Sequence, residues 1–216
     1  MIRDGLSKAL DNVPDMEVVG HADDGLTAIR ITGKILPDVA VMDIGMPGLN
    51  GIDATRQIHK ESPTVKIIAL SMYSSGHYIK EMFRAGASGY ILKNCQFDEL
   101  VEAIRTVTAD KTFISPSISD LIIESYITKG EEEVESAFTL LSQREREVTQ
   151  LLTEGKTTKQ AARYLCISPK TVEVHRSRIL NKLHIDNIVQ LTKYAIKEGL
   201  TASEPWSSMV DAETQS

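Results

Sequence analysis

An apolar run that ends in an aspartate, Val39–Asp43, constrains the fold of this chain more than any other stretch. No polar residue interrupts the run before Asp43, which is typical of a strand that is buried on both faces of a sheet. Residues 44–51 are rich in glycine and contain a proline, so they predict a loop. Sites in open α/β sheets form at the carboxyl ends of strands, where a carboxylate can act as a nucleophile or a metal ligand. The alternative for Asp43 is an ordinary loop aspartate that caps the next helix.

Short apolar runs alternate with amphipathic segments through the first half of the chain. The strand-like runs are residues 16–20, 39–43, 65–71 and 89–93. The segments with apolar residues at helical spacing are residues 2–12, 25–35, 52–60, 79–85 and 98–107, the last of them capped by Asp98. This alternation predicts βαβ units and a parallel sheet. The strand ends then bring Asp43, Ser71 and Lys93 to one edge, where the hydroxyl and the ammonium can hold phosphoryl oxygens on the carboxylate.

Three ordered motifs in this half resemble the receiver domain of two-component response regulators. They are residues 42–51 (MDIGMPGLNG), 69–71 (ALS) and 87–93 (ASGYILK). The resemblance covers residues 1–110 and implies an α/β receiver fold with a flavodoxin-like parallel sheet. It also implies that Asp43 accepts a phosphoryl group from a sensor histidine kinase, with Mg²⁺ bound by Asp43 and the main-chain carbonyl of Gly45.

The same resemblance gives roles to three further residues. Ser71 is implied to bond the phosphoryl group, Lys93 to pair with it, and Tyr90 to be the switch aromatic whose orientation follows Ser71. The structural alternatives are that Ser71 only ends a strand, that Lys93 is a solvated surface lysine and that Tyr90 is a core residue.

Receivers begin with an apolar strand that ends in an acidic pair, and this chain starts at the helix that follows that strand. Asp23 and Asp24 are not substitutes, because they follow the second strand and fit its turn. We therefore expect weak binding of Mg²⁺, which prefers several oxygen ligands, and poor phosphoryl transfer. We also expect residues 16–20 to lose their hydrogen-bonding neighbours. The two hypotheses are a start assigned too far downstream and a degenerate receiver that no longer uses phosphate.

The second half of the chain carries unusually clear helix signals. Capping boxes occupy residues 142–145 and 157–160, and Ser168 precedes a proline at the first position of the next helix. Residues 138–200 carry 11 Lys and Arg against 6 Asp and Glu on a chain whose net charge is −6, which favours a polyanionic partner for this segment. Two short helices joined by a tight turn, the second of them basic, are typical of a helix-turn-helix.

This segment resembles the LuxR-type DNA-binding domain of the NarL/FixJ group of regulators, through residues 141–148 (LSQREREV), 167–175 (ISPKTVEVH), Ile179 and 182–183. The resemblance implies an all-α, four-helix domain over residues 139–200 that binds double-stranded DNA and forms a homodimer through its last helix. His175 shares the apolar face of the recognition helix and is predicted to be a core residue. The residues predicted to contact DNA are Lys170, Thr171, Glu173, Val174, Arg176, Ser177, Arg178 and Lys182.

The remaining segments predict no chemistry. Residues 111–138 are predicted to be a linker with a solvated acidic run, and residues 201–216 a disordered tail. Cys95 and Cys166 lack metal spacing and are expected to be reduced thiols of a cytoplasmic protein. No apolar run is long enough for a membrane span, and the N-terminus shows no signal peptide.

The favoured hypothesis is a DNA-binding transcriptional regulator of a two-component phosphorelay that is controlled by phosphorylation of Asp43. The alternative is a phosphorylation-independent DNA-binding regulator with a degenerate receiver. A third hypothesis, an aspartyl-phosphate phosphatase, is disfavoured because such enzymes typically need a second acid two residues after the nucleophile. Gly45 occupies that position here.

Overall fold

The computed structural model describes residues 2–119 and 136–201. In the first part, two helices come first, and strands and helices alternate after them. They are α1 (Ile2–Asp11), α2 (Gly25–Ile35), β1 (Val39–Asp43), α3 (Gly51–Glu61), β2 (Lys66–Ser71), α4 (Gly76–Ala85), β3 (Gly89–Leu92), α5 (Phe97–Thr108) and β4 (Phe113–Ile114).

The four strands form one parallel sheet in the order β1-β2-β3-β4. Val41 lies opposite Ile68, and Ala69 lies opposite Tyr90. Because all the strands run in the same direction, Asp43 and Ser71 end on the same edge of the sheet. The predicted α/β receiver fold is confirmed.

Three local predictions in this half were wrong. Residues 16–20 form no strand, because an extended segment needs a ladder partner and none of the described strands pairs with them, in accordance with the expected loss of their hydrogen-bonding neighbours. Conversely, β4 falls in the predicted linker: its two residues are too few to show an alternating pattern, and Phe113 packs into the core beside Ile91. Helix α5 begins one residue before Asp98, after Gln96, so Asp98 lies in the first turn rather than at the cap.

The second part of the described chain is helical. Its elements are α6 (Ala137–Leu140), α7 (Gln143–Thr153), α8 (Thr158–Tyr164), α9 (Pro169–Leu183) and α10 (Ile188–Glu198). Helices α7 to α10 are the four predicted ones, and α6 is an additional turn before them. Their shared core contains the buried residues Leu151, Ala161, Val172, Ile179 and Leu191.

The predicted helix caps of this domain are confirmed. The side chain of Ser142 accepts from the Glu145 amide while Glu145 bonds back to the Ser142 amide, and Thr157 and Gln160 form the same reciprocal pair. Ser168 caps α9, and Pro169 occupies its first position. These local bonds fix the angle at which α9 leaves the turn after α8.

The acidic run of the predicted linker and the predicted disordered tail from residue 202 onward lie outside the described residues. Within the described ranges, no helix combines the length and the apolar character that crossing a membrane requires.

Candidate phosphoacceptor site and nucleic-acid interface

Asp43 ends β1 and faces Lys93, which follows β3 at the same edge of the sheet. The Lys93 ammonium lies 2.6 Å from Asp43 Oδ2, and the Gly45 amide donates to Asp43 Oδ1 over 3.0 Å. The Asp43 side chain remains 29% exposed and that of Lys93 10% exposed, so a phosphodonor can reach the carboxylate. Asp43 does not cap α3, because the side chain of Asn50 accepts from the Asp53 amide in that role.

Ser71 and Tyr90 meet at the backbone of Tyr73. The Tyr73 amide donates to Ser71 Oγ over 2.9 Å, and the Tyr90 hydroxyl donates to the Tyr73 carbonyl over 2.7 Å. Burial raises the pKa of Tyr90 to about 12, against a smaller opposing effect of its hydrogen bond with Ser71. Tyr73 was not predicted as a site residue. Its position two residues after Ser71 is the one sequence feature that places it near the site.

Receiver domains as a class use Mg²⁺ for phosphorylation, but the described residues do not fit a Mg²⁺ site on their own. Asp43 is the carboxylate at this edge, and both of its oxygens are already engaged by Lys93 and Gly45. Across residues 2–119 and 136–201, no group of three or more His, Cys, Asp or Glu side chains is placed to hold a metal. Asp24 caps α2 through the Thr27 amide, as expected of a turn residue.

The recognition helix α9 presents most of the predicted DNA-contact residues to solvent. Lys170, Glu173, Val174, Ser177 and Arg178 are exposed. Glu173 lies at the N-terminal end of α9, where its carboxylate accepts from the Thr158 hydroxyl and lies 3.7 Å from Arg176. The outward face of α9 therefore combines cationic, acidic and apolar groups, as direct readout of bases requires.

Two more of the predicted contact residues, besides Glu173 and Arg176, are engaged inside the domain. The Thr171 amide and hydroxyl both bond to Ser168 at the cap of α9. The Lys182 ammonium lies 2.7 Å from Glu145, which belongs to the capping box of α7. His175 is half-buried with its Nδ1 atom shielded from solvent, in accordance with its prediction as a core residue.

The loop after Asp43 docks onto α7, and we call these contacts the loop contact. The Arg146 guanidinium forms a buried ion pair with Asp53, and the two side chains are 5% and 1% exposed. The Gln150 side chain accepts from the Asn50 amide over 2.8 Å and donates to the Met46 carbonyl over 2.9 Å. The loop contact thus joins the DNA-binding domain to a segment that begins three residues after the carboxylate at the sheet edge.

Helix α4 docks onto the carboxyl end of α10, and we call these contacts the tyrosine contact. The Tyr78 hydroxyl lies 2.9 Å from the Ile196 carbonyl and 2.8 Å from the Lys197 carbonyl. His77 Nε2 lies 3.3 Å from the Glu198 carboxylate, which also accepts from the Ala137 amide over 2.8 Å. Neither contact was predicted, since no local pattern links residues that are about a hundred positions apart.

Comparisons with known proteins agree with this architecture. Residues 1–105 match the response regulator receiver domain family, and residues 139–195 match the luxR family of bacterial regulatory proteins. The chain is 37% identical to the oxygen regulatory protein NreC of Staphylococcus carnosus over 204 residues, 93% of this chain and 94% of that protein.

Solved structures show the same likeness. A LuxR-family response regulator from an Aurantimonas species superposes with a TM-score of 0.56 and 34% identity, over 58% of this chain and 90% of that one. RcsB from Salmonella enterica serovar Typhimurium, bound to a promoter in the presence of the phosphomimetic BeF₃⁻, superposes with a TM-score of 0.56 and 25% identity over 93% and 94% of the two chains.

A receiver sheet with a carboxylate at its edge, joined to a helix-turn-helix, defines a regulator that couples a phosphorelay to DNA. This chain belongs to the LuxR-type response regulators of two-component systems, as its relatives and both of its domains show. It is a DNA-binding two-component response regulator, and control by phosphorylation is the norm of its family.

Proposed function

We propose that Asp43 is the phosphoacceptor and that its phosphorylation controls binding of α9 to double-stranded DNA. The observation that carries this proposal is the pairing of Asp43 with Lys93 over 2.6 Å at the solvent-facing edge of the sheet. A carboxylate held there by a cation is exposed enough to react and has a countercharge for the product.

The reaction needs few protein groups. One Asp43 oxygen attacks the phosphorus of a phosphohistidine on the sensor kinase; the P–N bond breaks and the imidazole leaves. Lys93 then pairs with a phosphoryl oxygen instead of the free carboxylate, and the Ser71 hydroxyl can donate to another. For Mg²⁺ the described residues offer only the Asp43 carboxylate and the Gly45 carbonyl, which are fewer oxygen ligands than the ion prefers, and we assign the metal no step.

The exposed face of α9 supports the DNA-binding role. Val174 is 42% exposed and suits contact with a thymine methyl, while Glu173 can accept from cytosine N4. Lys170, Arg176, Arg178 and Lys182 suit phosphates, which position the helix without reading sequence. Ser177 and Thr171 complete the predicted contact set.

The docked arrangement suits a regulated DNA-binding domain. The Tyr164 hydroxyl, at the end of α8, lies against Gly48 of the receiver loop. In helix-turn-helix proteins the first helix of the pair crosses the DNA backbone. The receiver therefore stands beside the surface that DNA approaches, and separation of the domains would clear it.

Helix α10 supports the proposed homodimer of the active form. Val189 is 61% exposed and Ile188 is 39% exposed on its outer face, while its carboxyl end is held by the tyrosine contact. RcsB is a relative of known structure that has been determined as dimers on DNA. A second copy of this chain is the partner that an apolar, self-complementary helix face fits.

The test is phosphorylation of the full chain by acetyl phosphate with Mg²⁺, followed by intact mass, and then by DNA affinity on duplexes selected from a random pool. We expect the wild type to gain a phosphoryl group, slowly because its Mg²⁺ ligands are few, and to bind DNA more tightly once it carries the group. Asp43→Asn should gain none, because the nucleophile is lost. Asp38→Asn, which removes an exposed carboxylate just before β1, is the matched control and should behave as the wild type. Equal phosphorylation of Asp43→Asn would contradict the proposal.

A further inference from the structure

We propose that Tyr78 is the positioning residue through which a phosphoryl group at Asp43 controls the docking of α10, by way of the backbone of Tyr73. This inference rests on the proposed function and adds the route by which the site acts on the DNA-binding domain. The route consists of three consecutive contacts, each made by a different group.

The first contact ties Ser71 to Tyr73. The Tyr73 amide donates to Ser71 Oγ, and the Tyr73 carbonyl accepts from the fully buried Tyr90. Both backbone groups of Tyr73 are therefore held by the two side chains that face the phosphoacceptor edge. The Ser71 Oγ can accept from the Tyr73 amide while it donates its proton, so the signal requires that the side chain shift toward the phosphoryl oxygen and move Oγ relative to that amide.

The second contact passes from Tyr73 to Tyr78 through their rings. The ring centroids are 4.5 Å apart and the rings are 19° from parallel, which is a stacked pair. Tyr78 is only 5% exposed and packs in the same core cluster as Tyr90. A stacked ring in a close-packed core has no free space beside it, so displacement of Tyr73 displaces Tyr78.

The third contact joins Tyr78 to the DNA-binding domain. The Tyr78 hydroxyl shares its proton between two of the last carbonyls of α10, on Ile196, which also accepts from the Gly199 amide, and on Lys197. Gly199 ends α10 in the left-handed region, with φ of 74°, and a Cβ there would collide with the Tyr78 ring. The end of α10 is therefore shaped around this one side chain.

The charged pair of the loop contact does not explain control in the same way. Arg146 and Asp53 hold the domains together by charge, and neither is bonded to Ser71 or Tyr90 in the described part of the chain. The tyrosine contact, by comparison, is continuous with the residues that face the phosphoryl group. We therefore assign the sensing of phosphorylation to Tyr78 and not to Arg146.

The experiment compares Tyr78→Phe with the wild type by amide hydrogen exchange at the end of α10, residues 196–201, without a phosphodonor. Phenylalanine keeps the stacked ring and removes only the hydroxyl. Because a hydrogen bond contributes about 1 kcal/mol, exchange there should be faster by about two- to tenfold. Tyr73→Phe is the matched control, since it keeps the ring and both backbone groups, and it should exchange as the wild type.

A double-mutant cycle separates a relay from a merely structural role. Ser71→Ala removes the acceptor of the Tyr73 amide at the far end of the route, and it should also speed exchange at residues 196–201. If the residues act through one another, the double variant Ser71→Ala/Tyr78→Phe should exchange no faster than Tyr78→Phe alone. If the exchange rate of the double variant rises by the product of the two single effects, the contacts are independent and the proposal is overturned. Unchanged exchange in Tyr78→Phe would overturn it as well.

DNA binding with and without acetyl phosphate completes the test. We define the response ratio as the DNA affinity with acetyl phosphate divided by the affinity without it. The wild type should show a ratio above one. Tyr78→Phe should gain the phosphoryl group, as read by intact mass, and still give a ratio near one. A Tyr78→Phe protein that responds as the wild type would overturn the relay while leaving the proposed function intact. A wild type that gains no phosphoryl group at Asp43 contradicts the proposed function instead. In that case the double-mutant exchange cycle, which uses no phosphodonor, still tests whether Ser71 and Tyr78 are coupled.

Discussion

The loop contact and the tyrosine contact join the same two domains by different chemistry. The loop contact uses a buried ion pair, Arg146 with Asp53, and the amide side chain of Gln150. The tyrosine contact uses a neutral hydroxyl on two backbone carbonyls, with a half-exposed histidine near a carboxylate. The first depends on charges that must both be present, and the second depends on the exact position of one ring.

This difference indicates a division of roles. A buried ion pair tolerates little change, because one member without the other is a buried, uncompensated charge. A hydroxyl that bonds backbone carbonyls contributes less, and its bond weakens with a small change in distance or angle. The loop contact is thus suited to holding the closed arrangement, and the tyrosine contact to being released by a modest displacement.

Phe138 of α6 lies beside the loop contact, between two arginines. The guanidinium of Arg56 from the receiver lies 5.6 Å from the centroid of its ring, and that of Arg146 lies 5.2 Å from it. Cation–π contacts of this kind gain strength when they are shielded from water. The same arginine therefore serves both the ion pair and the aromatic contact.

The largest effect is expected from Arg146→Met, which should open the closed arrangement. It removes the buried partner of Asp53 and leaves Arg56, at 2.8 Å, as the remaining cation, at a cost of about 3 kcal/mol that only the docked state bears. Docking should weaken by about a hundredfold or more, and the radius of gyration from small-angle X-ray scattering should rise.

Two further variants make this result specific. Asp53→Asn removes the other half of the pair from the receiver side and should open the protein as well. Arg144→Met is the matched control, because Arg144 lies on the same helix but pairs with Glu147 and the Leu165 carbonyl inside the DNA-binding domain. An unchanged radius in both Arg146→Met and Asp53→Asn would show that the ion pair does not hold the domains.

Much of each domain could be predicted from the sequence because its signals are local. The caps at Ser142, Thr157 and Ser168 depend on neighbouring residues, and each one formed as predicted. The strand before Asp43 also formed, but it is not buried on both faces as expected, since Val41 is 36% exposed. Lys93 was expected at the edge with Asp43, since both follow parallel strands, and it lies there.

The errors and omissions concern partners that are distant in sequence. Residues 16–20 form a short apolar run typical of a strand, but such a run does not supply a ladder partner. Tyr78 looks like an ordinary helix aromatic, and Arg146 looks like an exposed charge of a capping segment. Only the docking of the two domains brings the Tyr78 hydroxyl to the last carbonyls of α10 and buries the Arg146 guanidinium against Asp53.

An intermediate effect is expected from Gly199→Ala, which tests the tyrosine contact by collision. Any alanine at this positive φ is strained by about 1–2 kcal/mol, and here its Cβ would also meet the buried ring of Tyr78. Gly155→Ala is the matched control, with φ of 82° and open space around its Cβ. Both variants should unfold at lower urea concentration, but only Gly199→Ala should speed exchange at residues 196–201.

Gly48→Ala extends the same comparison to the loop contact. Its Cβ would meet the Tyr164 hydroxyl, which is the far end of a side chain that is 41% exposed. This side chain can move away, whereas the Tyr78 ring cannot. We therefore expect Gly48→Ala to disturb docking less than Gly199→Ala. A larger effect of Gly48→Ala would contradict the inference that the Tyr164 side chain moves more easily than the Tyr78 ring.

The smallest effect is expected from acid acting on Glu198, at the tyrosine contact. Burial alone would raise the pKa of the Glu198 carboxyl, but the neighbouring His77 imidazole and Ala137 amide outweigh it and hold this pKa below its usual range. A carboxyl whose pKa is lowered by folding stabilises the protein above the usual glutamate pKa, and this contribution is lost as the pH falls through the lowered value. The free energy of unfolding of the wild type and of Glu198→Gln should therefore differ at neutral pH and converge in acid.

The chemical shift of the Ala137 amide, which donates to this carboxylate, should titrate at the same low pH in the wild type and stay constant in Glu198→Gln. Glu145→Gln is the matched control: the pKa of Glu145 is also held low, by Lys182 and Ser142 against its burial, yet its loss should leave the titration of the Ala137 amide unchanged. A titration of that amide at or above the usual glutamate range would show that His77 and Ala137 do not stabilise the charged form, and the tyrosine contact would then owe its strength to the Tyr78 hydroxyl alone.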